Sequence, residues 1–216
     1  MNSDVSKKLN KFFQQYKNRK YKRREILIRA ADEPAGLFYL REGIVRQYAI
    51  TTNGEELTIN VFKSPSLFPM AWVVNDTISP HFFEAMTSVT AWIAPKKDVL
   101  EFLKQEPDIL LDLVKRIYKG LDGYFMRMEH LMLGSAQARL IAELLIYARR
   151  FGEQRENTNQ INFKLTERDL AAQSGIARET VSREIQKLKQ KGLITFEKNT
   201  LVINDLNKLE EELLHI

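Results

Sequence analysis

Apolar residues at alternating spacings of four and three run between residues 110 and 131 of this 216-residue chain. The run consists of Leu110, Val114, Ile117, Leu121, Tyr124, Met128 and Leu131. A seven-residue repeat of this length predicts one long helix with a continuous apolar seam. Leu113, Phe125 and Met132 form a second apolar set off the seam. Two apolar faces predict a homodimer through the seam, with the other face against the helix's own domain. The alternative is a monomer that buries both faces.

The residues before this helix, from about 21 to 94, are rich in short β-prone runs. These runs cover residues 25–29, 37–40, 44–50 and 56–62, with one or two further strands within 82–93. Asn53 and Gly54 separate two of the runs and predict a hairpin, because both tolerate positive φ. Short strands with turn residues between them predict a small antiparallel barrel or roll.

From Pro95 onward the apolar period becomes helical. Residues 96–106 predict one helix, and Pro107 suits the first position of the seam helix. Residues 133–136 interrupt the pattern as a possible hinge, and residues 136–151 predict an amphipathic helix. The polar residues 153–160 are interpreted as a surface loop.

Residues 166–183 have the pattern of a helix-turn-helix. Thr166 is a helix N-cap, with acidic residues in the turn that follows. Leu170 and Ala171 are expected on the buried face of the first helix, Ala171 being small where two helices cross. Gly175 stands where the turn needs a left-handed backbone.

The second helix of this motif is anchored by Ile176 and Val181. Its outer N-terminal half, the part that enters a major groove, carries Arg178, Glu179, Ser182 and Arg183. Arginine donates two hydrogen bonds to guanine, and glutamate accepts one from the cytosine amino group. The alternative is a helical hairpin with solvated charges. A glutamate facing DNA is costly unless it reads a base, which favours the DNA-reading interpretation.

A short hairpin is predicted after the motif, at residues 195–203, with its turn at Lys198-Asn199. It has the position of the wing of a winged helix. Side chains expected to contact DNA phosphates, which add affinity without sequence information, are Thr166, Arg168, Thr180, Lys187, Lys191 and Lys198.

The motif at residues 165–183, with residues 191–194, resembles the C-terminal domain of the cyclic-AMP receptor protein/FNR family of bacterial transcription regulators. The order of parts is similar over nearly the whole chain. The resemblance implies an α+β fold. Residues 1–106 would form an antiparallel, cupin-like β-roll sensor domain of the cyclic-nucleotide-binding type, with flanking helices. Residues 107–134 would form the dimerisation helix and residues 135–216 the winged helix-turn-helix.

The resemblance also implies roles for individual residues. Arg178, Glu179 and Arg183 match positions that contact DNA bases in the family. Ser182 matches a position that contacts a base in the FNR branch. A palindromic site with a TGA-containing half-site would follow, of either the TTGA or the TGTGA type. RNA polymerase would be a partner if the protein is an activator.

The sensor domain lacks the family's cyclic-nucleotide pairs, Gly-Glu followed by Arg-Ser or Arg-Thr. The comparable stretches are residues 66–72 and 79–85, and no arginine lies between Arg46 and Arg116. A cyclic phosphate would lack its bidentate partner, for which Lys63 is a poor substitute, so the sequence disfavours cyclic AMP and cyclic GMP. The absence of cysteine excludes an FNR-type iron–sulfur cluster. Haem on His81 is disfavoured, because a lone histidine among aromatic residues is more often structural.

The effector, if one exists, is therefore unknown. An aromatic set remains as a candidate pocket for an apolar effector: Phe68, Trp72, Phe82, Phe83 and Trp92. The favoured interpretation of the same set is the roll's own core, and a third alternative is a domain without any ligand that only supports the dimer.

Other function classes find little support in the sequence. The net charge of +5 permits nucleic-acid binding without establishing it. The three histidines match no metal-ligand spacing, and no nucleophile–base pair or phosphate-binding glycine loop stands out, so neither a metal site nor an enzyme is expected. No apolar stretch is long enough for a bilayer, which predicts a cytoplasmic protein without a membrane partner. The competing class is an effector-binding or protein-interaction module without specific DNA binding.

Overall fold

The computed structural model describes residues 3–155, 158–197 and 200–214. They form two compact units, one within Met1–Lys119 and the other within Gly120–Ile216, and the chain passes from one to the other inside a single helix.

The N-terminal unit contains an antiparallel roll of two four-stranded sheets, in the orders β1-β8-β3-β6 and β2-β7-β4-β5. Its elements in chain order are α1 (Ser3–Phe13), β1 (Lys17–Tyr21), β2 (Ile26–Ile28), β3 (Leu37–Glu42), β4 (Ile44–Ile50), β5 (Glu56–Lys63), β6 (Ser66–Phe68), α2 (Met70–Asn75), β7 (Phe82–Ala85), β8 (Val89–Ala94) and α3 (Lys96–Gln105). The predicted roll is confirmed, although β1, β6 and α2 were not anticipated.

Two apolar cores hold this unit together. Between the sheets, Phe68 stacks on Phe38 and on Phe83, with ring centroids 5.5 and 5.4 Å apart. On the outer face of the β1-β8-β3-β6 sheet, residues of α1, α2 and α3 pack against Leu37 and Tyr39. Each fully buried aromatic or aliphatic side chain stabilises the fold by about 1.5–3 kcal/mol.

Arg46 is a charged residue inside the roll, with only 1% of its surface exposed. Its guanidinium donates to Glu84 and Glu56 and lies 4.2 Å from the centre of the Tyr48 ring. Burial opposes the charge, but the hydrogen bonds to Glu84 and Glu56 prevail and raise the pKa of Arg46. Arg46, the last arginine before Arg116, thus has its hydrogen-bonding partners within the protein.

The predicted hairpin between β4 and β5 is present, but its turn is longer than a two-residue Asn-Gly turn. The Thr51 N–H donates to the Glu55 carbonyl at 2.8 Å, and the Gly54 N–H donates to the Thr51 carbonyl at 2.9 Å. Gly54 has a φ of +80°. Asn53 is not among the residues of positive φ. The predicted use of left-handed backbone therefore holds for one of the two residues.

The C-terminal unit begins within α4 and carries a four-stranded antiparallel sheet in the order β11-β12-β10-β9. The elements are α4 (Pro107–Leu133), α5 (Ala136–Phe151), β9 (Gly152–Arg155), β10 (Thr158–Lys164), α6 (Glu167–Ser174), α7 (Arg178–Gln190), β11 (Ile194–Glu197), β12 (Thr200–Ile203) and α8 (Leu206–Leu214). The order of elements is that of a winged helix-turn-helix. The predicted wing turn at Lys198-Asn199 lies outside the described residues.

The interpretation of residues 153–160 as a loop is wrong where the structure describes them, because residues 153–155 belong to β9 and residues 158–160 to β10, and the two strands pair. Ile161 and Phe163 of β10 are buried and alternate with exposed residues. The apolar signal of this strand begins only at its centre, which is why its polar first half resembled a loop.

The junction between α4 and α5 falls where the sequence predicted an interruption. Ser135 caps α5, its hydroxyl accepting from the Ala138 N–H at 3.2 Å. Across the junction, Arg127 donates to both carboxylate oxygens of Glu143, whose side chain is 2% exposed. The end of α4 is thereby tied to the start of the winged-helix domain.

Candidate nucleic-acid interface

A capping box begins the first helix of the helix-turn-helix, α6. The Asp169 N–H donates to the Thr166 hydroxyl at 3.2 Å, and the Thr166 N–H donates to the Asp169 carboxylate at 3.0 Å. Two backbone donors that the helix cannot satisfy are therefore satisfied by side chains. The predicted N-cap at Thr166 is confirmed.

Replacing Thr166 by valine, which keeps the shape but removes the hydroxyl, is expected to lower the free energy of unfolding by about 1 kcal/mol. Urea denaturation of the full chain measures the change. Thr166→Ser is the matched control, since it keeps the capping oxygen and should retain nearly all of the stability. Equal losses in both variants would show that the cap does not contribute as described.

Gly175 makes the turn between α6 and α7 in the left-handed conformation that the sequence predicted. Its φ and ψ are 62° and 36°, and its N–H donates to the Ala171 carbonyl at 3.0 Å. Any side chain at this position would be strained. The turn sets the direction in which α7 leaves α6.

Leu170 and Val181 join α6 to α7, and both are fully buried, as predicted. The expectation for Ala171 needs correction, because Ala172 is the buried alanine and Ala171 is only partly buried. At about 100° per residue, the buried residues of α6 lie on one side of the helix, in an arc bounded by Ala172 and Ser174, and Ala171 falls just outside that arc.

The second helix, α7, begins at Arg178 as the motif predicted. Arg178, Glu179 and Arg183 are exposed and Ser182 is partly exposed. Arg178 lies 3.7 Å from the Glu167 carboxylate, and Arg183 donates to the Thr180 hydroxyl at 3.3 Å. Spacings of one and four place all four predicted base-reading side chains on one outward face in the first half of the helix.

The predicted phosphate contacts divide into two groups. Arg168 is exposed near the start of α6, while Thr166 and Thr180 are partly buried. Lys187 and Lys191 are exposed but have carboxylate partners: Lys187 donates to Glu184 at 2.8 Å, and Lys191 donates to Glu212 of α8. The sequence did not indicate the second pair, because Glu212 lies 21 residues further along the chain. Lys198 lies outside the described residues.

The seam of α4 is exposed in the protomer. Leu110, Val114, Ile117, Tyr124, Met128 and Leu131 are each between 36% and 60% exposed, and Leu121 is partly buried. A continuous apolar strip of this length is typical of an interaction surface. The second apolar set does not form one internal face as expected: Leu113 packs against the N-terminal core, but Phe125 and Met132 are exposed.

The five aromatic residues of the candidate effector pocket do not surround one common site. Phe68 and Phe83 stack in the core between the sheets. Trp72 and Trp92 belong to the other core, on the outer face of the sheet. Phe82 stacks on Tyr48 at 5.3 Å, partly exposed. The alternation of strand residues separates them, so the core interpretation is the better one.

His81 is held by neighbours in the roll. Its Nδ1 lies 3.1 Å from the Gln47 amide nitrogen and 3.4 Å from the Ser79 hydroxyl. Within residues 3–155, 158–197 and 200–214, no three histidine or acidic side chains are grouped to hold a metal ion. In the same residues no helix is both long and apolar enough to cross a membrane.

Each of the two units contains a match to a known protein family. Residues 138–212 match the model of the Crp-like helix-turn-helix domain, and residues 18–106 match that of the cyclic nucleotide-binding domain. The global nitrogen regulator of Synechocystis sp. is 26% identical over 84% of this chain and 81% of its own length. The transcriptional regulator SdrP of Thermus thermophilus is 29% identical over 79% of this chain and 80% of its own. A CooA mutant from Carboxydothermus hydrogenoformans has the same fold, with a TM-score of 0.77 and 22% identity over 93% of this chain and 89% of that one.

The winged helix-turn-helix, the roll and the regulators that resemble them define a DNA-binding transcription regulator. More particularly, the chain belongs to the cyclic-AMP receptor protein/FNR family.

Proposed function

We propose that the protein acts as a homodimer that reads a palindromic DNA site with a TGA-containing half-site. The observation that carries this proposal is the outward face of α7, where Arg178, Glu179 and Arg183 stand exposed beside Ser182. Arginine pairs with guanine and glutamate with the cytosine amino group, so this face suits two or three adjacent G·C contacts in each half-site. Selection from a pool of random duplexes tests it.

The proposed second copy of the chain is the reason to expect a palindromic site. A two-fold dimer presents two α7 helices, whose half-sites would be centred one helical turn apart, roughly 34 Å. The exposed seam of α4 is the surface proposed to hold the two copies together. Thr166, Arg168, Thr180, Lys187, Lys191 and Lys198 are proposed to contact phosphates.

Replacing Lys191 by alanine is expected to weaken binding to every DNA sequence alike by a few-fold. The loss is small because Lys191 exchanges its partner Glu212 for a phosphate. Each lost phosphate contact should lower the slope of log K against log salt by about 0.9. Gel-shift titrations at several salt concentrations measure both effects. Lys208→Ala, at an exposed lysine paired with Asp205, is the control. A changed sequence preference in Lys191→Ala would contradict the phosphate role.

Neither cyclic AMP nor cyclic GMP is proposed as the effector. Arg46 is buried between Glu84 and Glu56, so its guanidinium is not available to a cyclic phosphate. Isothermal calorimetry with either nucleotide is expected to show no binding at micromolar concentration. Micromolar binding would contradict this and require another cationic partner for the phosphate. If neither nucleotide binds, the roll serves a different effector or supports the dimer alone.

The setting proposed for this activity is the cytoplasm, and the protein is proposed to have no catalytic role. If it activates transcription, RNA polymerase is the expected partner. In vitro transcription from a template carrying the selected palindrome would show whether the bound dimer raises or lowers RNA synthesis.

A further inference from the structure

Two glycines, Gly120 and Gly123, lie in the interior of α4, a 27-residue helix. Glycine destabilises a helix interior relative to alanine, so its presence calls for a reason. A Cβ built at either position meets no atom of the described residues within 4 Å. Packing within the described protomer therefore explains neither glycine.

The heptad pattern places the two glycines differently. Leu121 and Met128 occupy the first core position of the heptad, a, and Tyr124 and Leu131 occupy the second, d. Gly120 then takes position g, which flanks the seam. Gly123 takes position c, on the far side of the helix.

The other flank of the seam carries bulky apolar residues. Phe125 and Met132 take position e, and they are 59% and 76% exposed. In a parallel two-stranded coil, the g residue of one helix lies beside the e residue of the following heptad on the other helix. In such a coil Gly120 of one copy would lie beside Phe125 of the other.

The next g position along the helix carries a side chain and can be compared with Gly120. Arg127 takes this position and is held by Glu143 of the same protomer. Gly120, one heptad earlier, leaves open space where a side chain would project. An exposed phenylalanine ring on one helix and an unfilled flank on its partner are complementary in shape.

We propose that Phe125 of each protomer packs over Gly120 of a second copy of this chain, and that this pair fixes a parallel register of the dimer. The inference rests on the homodimer proposed above. Two-fold symmetry repeats the contact on both sides of the seam. Parallel helices also place the two winged-helix domains at the same end, since α5 begins directly after α4.

The test compares Gly120→Leu with Gly123→Leu. Both variants replace a glycine of the same helix by the same better helix former, at positions that are open in the protomer. Gly120→Leu is expected to raise the dimer dissociation constant at least tenfold by sedimentation. Gly123→Leu is expected to leave it unchanged or lower it. Circular dichroism confirms that both variants retain their helix content.

A compensating variant separates packing from other causes. Adding Phe125→Ala to Gly120→Leu exchanges the large and small partners, and should bring the dissociation constant back to within threefold of the wild type. Equal dissociation constants for the two leucine variants would overturn the pairing. The pairing would also be overturned if the losses of dimer stability in Gly120→Leu and in Phe125→Ala simply added in the double variant. A wild-type protein that sediments as a monomer would overturn the proposed homodimer as well as the pairing. If the wild type is a dimer, equal dissociation constants of the leucine variants or additive losses overturn the pairing alone.

Discussion

Replacing both Leu121 and Tyr124 by glutamate is expected to convert the dimer into monomers. These residues are neighbouring core positions of the seam, so the dimer would bring four carboxylates together in an apolar interface. The apolar burial lost is about 1.5–3 kcal/mol for each of four side chains, so the total is roughly 6 kcal/mol at the lower end. A loss of that size raises the dissociation constant by about 10⁴.

Sedimentation at micromolar concentration measures this change directly. The matched control places two glutamates elsewhere on the same helix, Lys115→Glu with Lys119→Glu, at exposed positions outside the seam. The control should remain dimeric. A wild-type monomer, or a dimer that survives glutamates at Leu121 and Tyr124, would contradict the role of the seam.

The same variant should lose most of its affinity for a palindromic site. Two linked DNA-binding domains gain from an effective local concentration, and separate monomers do not. We expect the apparent affinity for the full palindrome to fall by about 10²-fold or more, consistent with the roughly 10²- to 10⁴-fold gains that linkage provides. Affinity for a single half-site should change little, because α7 lies outside the altered segment.

Local signals in the sequence account for the parts of the fold that were predicted well. The apolar repeat of α5 and the N-cap at Thr166 each depend on residues within one or two helical turns. The left-handed turn at Gly175 depends on one residue and its backbone. For this reason the helix-turn-helix and the first residue of α7 were predictable from neighbouring residues alone.

Features that depend on distant partners were not predictable in the same way. The β9–β10 hairpin begins with polar residues, and its burial is set by the elements that pack on its second half. The partner of Lys191 comes from α8, which no local pattern connects to α7. The aromatic set is divided between two cores by the topology of the sheets. In each case tertiary packing decides what the local pattern leaves open.

Loss of the Arg183 guanidinium is the second change with a large expected effect. Arg183→Ala removes one bidentate base contact from each half-site, at a cost of about 1–3 kcal/mol per half-site. For the symmetric site the cost doubles, and selection should flatten at one guanine in each half. Competition gel shifts with single-base variants of the site measure the change.

The control for Arg183→Ala is Arg149→Ala, at an exposed arginine of α5 that pairs with Glu210. It removes the same charge from a different helix of the domain, so it should leave the base preference unchanged. A uniform loss of affinity in Arg183→Ala, without any change at a single base pair, would make Arg183 a phosphate contact instead.

Random-sequence selection with the wild type and with Glu179→Ala tests the central claim, that α7 reads the DNA bases, most directly. Glu179 is exposed in the first turn of α7, so its removal should leave the fold intact. The wild type should select a palindrome with a TGA-containing half-site. Glu179→Ala should relax selection at the one pair in each half whose cytosine amino group it accepts from, and retain the other positions. If the variant returned the wild-type motif unchanged, α7 would not be the helix that reads the site.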